Sequence, residues 1–502
     1  MNDKTTTIFG EITMKLITNI KNCEDSFIQL IRHRLGLVIH DHQKKELHKT
    51  ILDACKRFDC LPEAYLKLLT TCSHDSPLLE HLIAGVTIGE TYFFRDKNQM
   101  RLLQDSVLPA IIKTKRGNGD LAIRIWSAGC ASGEEIYTIA MLLYEMLPDL
   151  EAWTLHLLGT DINTAVLQKA KLGFYSEWSM RSITDYFKRR YFVEESHKYS
   201  INEKIRDVVT FSYLNLNDMT YPSIFNGTNA QDLILCRNVL IYFDNEHVVN
   251  LMRKFNASLV EGGYLLLGAS DPINIKGTDL VFHYREGTLF SRPTEEQKNE
   301  IIIPPSVKLA ARKTPKIHVR NKPIARESTS HASKPIQAVN PALIEKLFAE
   351  SRWQEALDVI NANEKKSSYL LSASATALAN LGKLTLAVNC CQKSLALDST
   401  DKQTYFTLAM ILIELNRLSE AEAALRKTLY LDHNFVIGHF QLGLLLLKNK
   451  QYDPGLKCLR NALEIVRTQD PSQPVAGFQE LNYGRLTEIL ANEIELNIAS
   501  RS

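Results

Sequence analysis

Two glycines, Gly129 and Gly133, sit in the stretch IRIWSAGCASGEE, between an apolar run and a helix-forming segment from about Tyr137 to Leu147. A glycine-bearing turn at the carboxyl end of the first strand of a doubly wound sheet lets the backbone approach a nucleotide-like ligand closely. The stretch is not GxGxxG, and a plain strand-to-helix connection is the alternative. Asp161 closes the next apolar run, LHLLGTD, where a carboxylate can accept hydrogen bonds from ribose hydroxyls. A helix cap before Ile162-Asn163-Thr164 is the other use of an Asp there. In DLILCRNVLIYF, Arg237 and Asn238 end an apolar run with polar groups that must find partners or water. Ligand contact accounts for them, and hydrogen bonding within the loop is the alternative. Upstream, GETYFFRD places Thr91 and Arg95 four apart; on a helix they would share a face and could meet a ligand carboxylate, although taken alone its three aromatics favour a core segment.

The elements that must carry these residues follow from hydrophobic spacing. Between about Ala122 and Ser291, short apolar runs (IRIWSAG, TLHLLGTD, DVVTFSYLN, DLILCRN, GGYLLLGAS) alternate with amphipathic stretches, predicting an α/β Rossmann-like domain with a mostly parallel sheet. Before it, Phe27, Leu30, Ile31 and Leu35, then Leu47, Ile51, Leu52 and Cys55, recur at helical spacing and predict a small helical domain over 20–85. The sheet domain is expected over 86–293, with short strands near 176–210. Residues 294–340, rich in Pro, Lys, Arg and Ser, read as a flexible linker. Beyond Pro341, Ala375, Ala409 and Gly443 are spaced 34 residues apart, as are Ala387, Ala421 and Gly455, and Leu395, Leu429 and Leu463. That period is the tetratricopeptide helix-turn-helix unit, predicting an all-α solenoid over 341–496 ending in a capping helix near 478–496.

Composition bounds the function classes. With 502 residues, 45% hydrophobic and 23% charged, the chain should hold two or three domains with sizeable cores. A formal net charge of +2 gives no global field for nucleic acid. The nine cysteines contain no CxxC pair and no zinc spacing, which predicts reduced thiols and no metal. The N-terminal segment lacks the features of a signal peptide, and the longest apolar run, LGLLLL at 442–447, is far short of a membrane span. A cytoplasmic protein without membrane insertion is expected.

GETYFFRD at 89–96, IWSAGCASGEEIYTIA at 125–140, GTDIN at 159–163, ILCRNVLIYFD at 234–244 and GGYLLLG at 262–268 resemble, in order and spacing, the chemotaxis receptor methyltransferases of the CheR type. The resemblance covers roughly residues 24–292. It implies transfer of a methyl group from S-adenosyl-L-methionine to glutamate side chains in the cytoplasmic domain of methyl-accepting receptors, giving methyl esters. It further implies that Thr91, Arg95, Glu134, Asp161 and Gly129 contact the cofactor, that Asn215-Leu216 lie near the adenine, and that Arg237-Asn238 and Tyr242 lie at the junction with the methyl acceptor. Arg237 would orient the incoming carboxylate and Tyr242 would donate a hydrogen bond to it. The chain departs from the family's pattern at Gly89, where Asn is usual, at Ile136 in place of Pro, and at Ala269-Ser270-Asp271 in place of His-Ser-Glu. HKTILDACKRFDC stands where the family has an arginine-rich helix facing the receptor, so a different receptor or docking mode is expected.

The repeats predict protein or peptide partners and a role in recruitment or regulation. A catalytically inactive scaffold acting through its repeats is the alternative from another class. A nicotinamide-dependent dehydrogenase is excluded, because it requires GxGxxG and an acidic residue about 20 positions on, whereas Asp161 lies 32 residues after Gly129.

Overall fold

The computed structural model describes residues 2–72, 76–87, 89–195, 198–217, 221–284, 288–294, 297, 341–363, 366–475 and 478–499. The linker expected over 294–340 lies almost wholly outside the described residues.

Four helices open the chain: α1 (Asn2–Leu35), α2 (Lys44–Arg57), α3 (Pro62–Thr71) and α4 (Pro77–Val86). Proline begins both α3 and α4, where its missing N–H has no intrahelical partner to lose. Phe27, Ile31, Leu47, Ile51, Tyr65, Leu79 and Leu82, spaced at helical intervals, close one buried cluster. Helix α1 starts well before residue 20.

After α5 (Lys97–Leu102) and α6 (Leu108–Gly117) come strands β1 (Ala122–Ala128), β2 (Thr154–Asp161), β3 (Phe174–Ser176), β4 (Phe192–Glu195), β5 (Lys198–Ile201), β6 (Val209–Tyr213), β7 (Gln231–Cys236), β8 (Leu259–Leu267), β9 (Val281–Tyr284) and β10 (Thr288–Ser291). Seven form one sheet in the order β6-β2-β1-β7-β8-β10-β9. The first five in that order run parallel, and β10 is antiparallel to both neighbours. β7 is buried along its whole length, as a parallel strand covered on both faces must be, hence its unbroken apolar run. Alternation sends Ile123, Ile125, Leu233 and Leu235 into one face's core and Trp126, Ile234 and Cys236 into the other's. Helices α7 (Glu134–Met146), α8 (Thr164–Leu172) and α9 (Asn245–Ser258) connect the strands. β3, β5 and β4 form a separate small antiparallel sheet, while β6 belongs to the main one.

The C-terminal part is helical. Pairs Ser368–Asn380 with Leu384–Leu397, Lys402–Glu414 with Leu418–Leu431, and Val436–Lys448 with Tyr452–Arg467 repeat at 34 residues, preceded by the shorter pair Pro341–Ala349 and Trp353–Asn361. Gly443 and Gly455 mark one close crossing: a Cβ on either would meet Leu459 or Leu447 side chains at 2.6–2.8 Å. The final helix is Tyr483–Ala499, entered through a short hairpin, so residues 478–482 are strand rather than capping helix. Among the described residues no helix is long and apolar enough to cross a membrane.

Candidate active site

The order of the sheet reverses at β1, which has β2 on one side and β7 on the other, and a crevice opens beyond the carboxyl ends of these strands. The turn after β1 forms its floor. Gly129 and Cys130 donate backbone hydrogen bonds to the Thr160 carbonyl at 2.8 and 2.9 Å, drawing this turn onto the end of β2. Gly129 adopts φ +77°, and a Cβ there would stand 2.5 Å from the Val239 side chain, so only glycine fits.

Asp161 is held by its surroundings as an acceptor. Its carboxylate takes the amides of Ala131 and Asn163, both at 2.9 Å. Burial raises its pKa, and the amides of Asn163, Ala131 and Ile162 oppose that rise. The cap of α8 is Asn163, whose side chain accepts from Ala165 and Val166. Asp161 is therefore spared that duty.

Arg237 and Asn238 leave β7 at the opposite wall. The Arg237 side chain is only 3% exposed and donates from Nε to Gln99, from Nη1 to Glu135 at 2.9 Å and from Nη2 to the Arg95 carbonyl at 2.6 Å. Ser127 donates to the other Glu135 oxygen at 2.7 Å. Asn238, at φ +61°, is pinned by Asp271, whose buried carboxylate accepts the amides of Asn238, Gly268 and Ile241. The Asp of Ala269-Ser270-Asp271 thus shapes the loop that carries the pair.

Thr91 and Arg95 reach the cleft from an irregular segment, not a helix, with Phe94 and Asp96 at positive φ. Two of the aromatics anchor it: Phe93 packs edge-on against Tyr175 and Phe192, and Phe94 leans on Phe187. The helical region closes the cleft from above. Val38 donates to the Tyr242 carbonyl at 2.8 Å, Asn215 donates to the Arg34 carbonyl at 3.2 Å, and Arg32 pairs with Asp244 at 2.6 Å.

The resulting cleft, open to solvent, is lined by Thr91, Arg95, Gly129, Asp161, Asn215, Leu216, Arg237, Asn238 and Tyr242, all singled out in the sequence. Leu35, Leu37, Val86, Thr87, Glu135, Val166 and Leu214 also line it. Glu134 does not. It is 1% exposed and accepts from the Ser132 and Ser179 hydroxyls at 2.7 and 3.0 Å, joining the turn after β1 to the segment after β3. The next residue faces the cleft instead, because successive helix positions point about 100° apart. No sequence signal separates these two adjacent glutamates. Leu35 and Leu37 were missed because their part in the cleft depends on how a separate helical unit docks.

The fit to S-adenosylmethionine rests on this geometry. A carboxylate fixed by amides, a glycine turn without side chain and apolar walls (Leu35, Leu37, Leu214, Leu216) suit hydroxyls, a close backbone approach and an adenine ring in turn.

A doubly wound sheet with a cleft at its switch point, roofed by helices and followed by helical repeats, places the chain among Rossmann-like enzymes with an appended solenoid. Residues 89–288 match the family described as CheR methyltransferase, SAM binding domain, and residues 402–435 match the tetratricopeptide repeat. The chain is 34% identical over 266 residues to a chemotaxis protein methyltransferase of Borreliella burgdorferi, covering 52% of this chain and 92% of that protein. It is 34% identical over 226 residues to chemotaxis protein methyltransferase 2 of Vibrio cholerae, covering 44% and 76%. Among solved structures, YrrB, described as a TPR protein with an unusual peptide-binding site, aligns at 19% identity and TM-score 0.23 over 24% of this chain and 64% of that one. The chain belongs to the CheR family of S-adenosylmethionine-dependent protein methyltransferases.

Proposed function

We propose that the protein methylates glutamate side chains in the cytoplasmic domain of methyl-accepting chemotaxis-type receptors, and that its repeats serve protein-protein interaction or regulation of this reaction. The carrying observation is the convergence of Gly129, Asp161, Arg95 and the Arg237–Glu135 pair on one cleft in a chain of this family. When bound, S-adenosylmethionine supplies a methyl group activated by a sulfonium. Asp161 would hold ribose hydroxyls, Thr91 and Arg95 the cofactor's carboxylate, and Asn215-Leu216 the adenine, with Gly129 and Asn238 giving backbone approach.

A glutamate carboxylate is nucleophilic at neutral pH, so the site needs no strong general base. Positioning and removal of water from the carboxylate supply the rate. Tyr242 is half-buried at the cleft and suits hydrogen-bond donation to the acceptor; burial raises its pKa, with Arg95 opposing, so it stays protonated at neutral pH. Arg237 has Nε and both terminal nitrogens engaged by protein acceptors, which suits positioning of the wall rather than capture of a second carboxylate.

The test is methyl transfer from radiolabelled cofactor to purified receptor cytoplasmic fragments, followed by mild alkali. Label released as volatile methanol identifies a carboxyl methyl ester, and mass spectrometry of the labelled peptide should place it on glutamate. Alkali-stable label, or none despite tight binding of S-adenosylhomocysteine, overturns the proposal.

A further inference from the structure

The first helices of the three regular repeats, Ser368–Asn380, Lys402–Glu414 and Val436–Lys448, form one face of the solenoid. The first two pack on each other as well as on the second helix between them, and so line the inner side of the curve. Residues one period apart recur there: Asn380, Glu414 and Lys448 end these helices, and Phe406 and Phe440 are the fifth residues of the second and third. This is the face by which a solenoid usually holds a peptide.

In this chain the methyltransferase half sits on it. The Ile224 amide donates to the Asn380 side chain at 2.8 Å, and the Asn229 side chain donates to the Ala379 carbonyl at 3.0 Å. The Phe225 ring stacks on Phe406 with centroids 5.8 Å apart. Ile224, 1% exposed, lies in the repeats' own apolar cluster. Gly382 approaches so closely that a Cβ on it would stand 2.8 Å from that of Ala230. Beside the loop, Arg124 of β1 pairs with Glu414 at 3.0 Å and His156 of β2 bonds the Glu414 carbonyl at 3.1 Å. The loop is stiffened from within, since the Gln231 side chain donates to the carbonyls of Gly227 and Asn229. An apolar-aromatic pair presented on a rigid turn, clamped by an asparagine and flanked by a buried ion pair, has the chemistry of a bound peptide ligand.

We infer that the groove of the repeats is a docking site whose occupant is this chain's own Ser223–Ala230 loop, so that an outside protein entering the groove must first displace the methyltransferase half. The contacts lie at the starts of β1 and β2 and before β7, opposite the end of the sheet that bears the cleft. The repeats therefore brace the sheet while leaving the cleft mouth clear.

Small-angle X-ray scattering on the full chain tests this with three variants: Arg124→Glu, which sets two carboxylates against each other; the swap Arg124→Glu with Glu414→Arg; and Phe225→Asp. The wild-type curve should match the docked arrangement, R124E and F225D should shift to a larger radius of gyration, and the swap should return toward wild type. Circular dichroism monitors folding, and F225D and the swap carry the test where R124E fails to fold. An extended wild type, or folded F225D and R124E chains as compact as wild type, overturns the inference.

Discussion

Replacing Glu135 by Gln removes one charge from a pair that water scarcely reaches. The Glu135 and Arg237 side chains are 10% and 3% exposed, and their closest atoms are 2.9 Å apart. Breaking a buried pair by neutralising one partner costs about 3–5 kcal/mol, because the other charge stays buried and uncompensated. Arg237 keeps two further acceptors, Gln99 and the Arg95 carbonyl, which places the expected loss near the lower end, about 3 kcal/mol. Arg237→Met should cost less than the charge it removes would suggest, since Glu135 retains the Ser127 hydroxyl as a donor. The double variant should then be less damaging than the sum of the singles by about 2 kcal/mol or more. Urea unfolding of the four proteins gives the stability cycle, and titration with S-adenosylhomocysteine gives the same cycle for the cleft. Glu134→Gln is the internal comparison: the amide oxygen can accept from one of the Ser132 and Ser179 hydroxyls while the NH2 donates to the other, so it should weaken ligand binding less than E135Q does. Additive single effects, or E134Q weakening binding as much as E135Q, would refute the assignment of the buried pair as the unit that shapes the cleft wall.

Asp161→Ala should abolish measurable S-adenosylhomocysteine binding by calorimetry while the far-ultraviolet dichroism is retained. Gly129→Ala places a Cβ at φ +77° and against Val239, so it should weaken binding at least tenfold, about 1.4 kcal/mol or more, in the same titration. Asp271→Ala strands the Asn238 and Gly268 amides and should lower both thermal stability and ligand affinity, with the affinity loss read against the stability loss in a melt with saturating ligand. His156 is held at about 4 by burial, with Glu414 opposing and Arg124 and Lys448 adding to the depression. The fold keeps it neutral while the unfolded chain takes a proton below about 6.5, so stability is full above that pH and falls as pH drops toward 4. With the ring 23% exposed, the loss should be about 1–2 kcal/mol, and His156→Asn should remove that part of the slope in urea melts between pH 7 and 4.5.

Much of the sheet could be read in advance because a parallel strand covered on both faces has no polar side to hide its signal. LILC is apolar throughout and IRIWSA is broken only by Arg124 and Ser127 for that reason, and both occupy the middle of the sheet. Gly129 and Asp161 were legible on similar grounds: each stands at the carboxyl end of a strand, where the backbone turns and the crevice opens. Helical spacing gave Thr91 and Arg95 the right wall on the wrong element, since four residues of loop reach that wall as one helical turn would, once Phe93 and Phe94 are anchored in the core. The Glu134 and Glu135 pair shows a sharper limit, because one residue of helix rotation separates a buried strut from a cleft-facing charge.

The relation between the two halves was the least legible, and for a physical reason. Periodicity reports which face of an element is covered but not what covers it, and Phe406 reads as inner-face apolar whether a foreign peptide or Phe225 lies on it. The contacts that distinguish the two cases join residues far apart in the chain, such as Arg124 with Glu414 and Ile224 with Asn380. Each is an ordinary residue in its own neighbourhood: an Arg opening a strand, a Glu ending a helix, an Ile in a loop. Only their juxtaposition turns a solenoid that would be expected to recruit partners into one whose groove is already held, and it makes displacement of the Ser223–Ala230 loop the step through which any groove-binding partner must act.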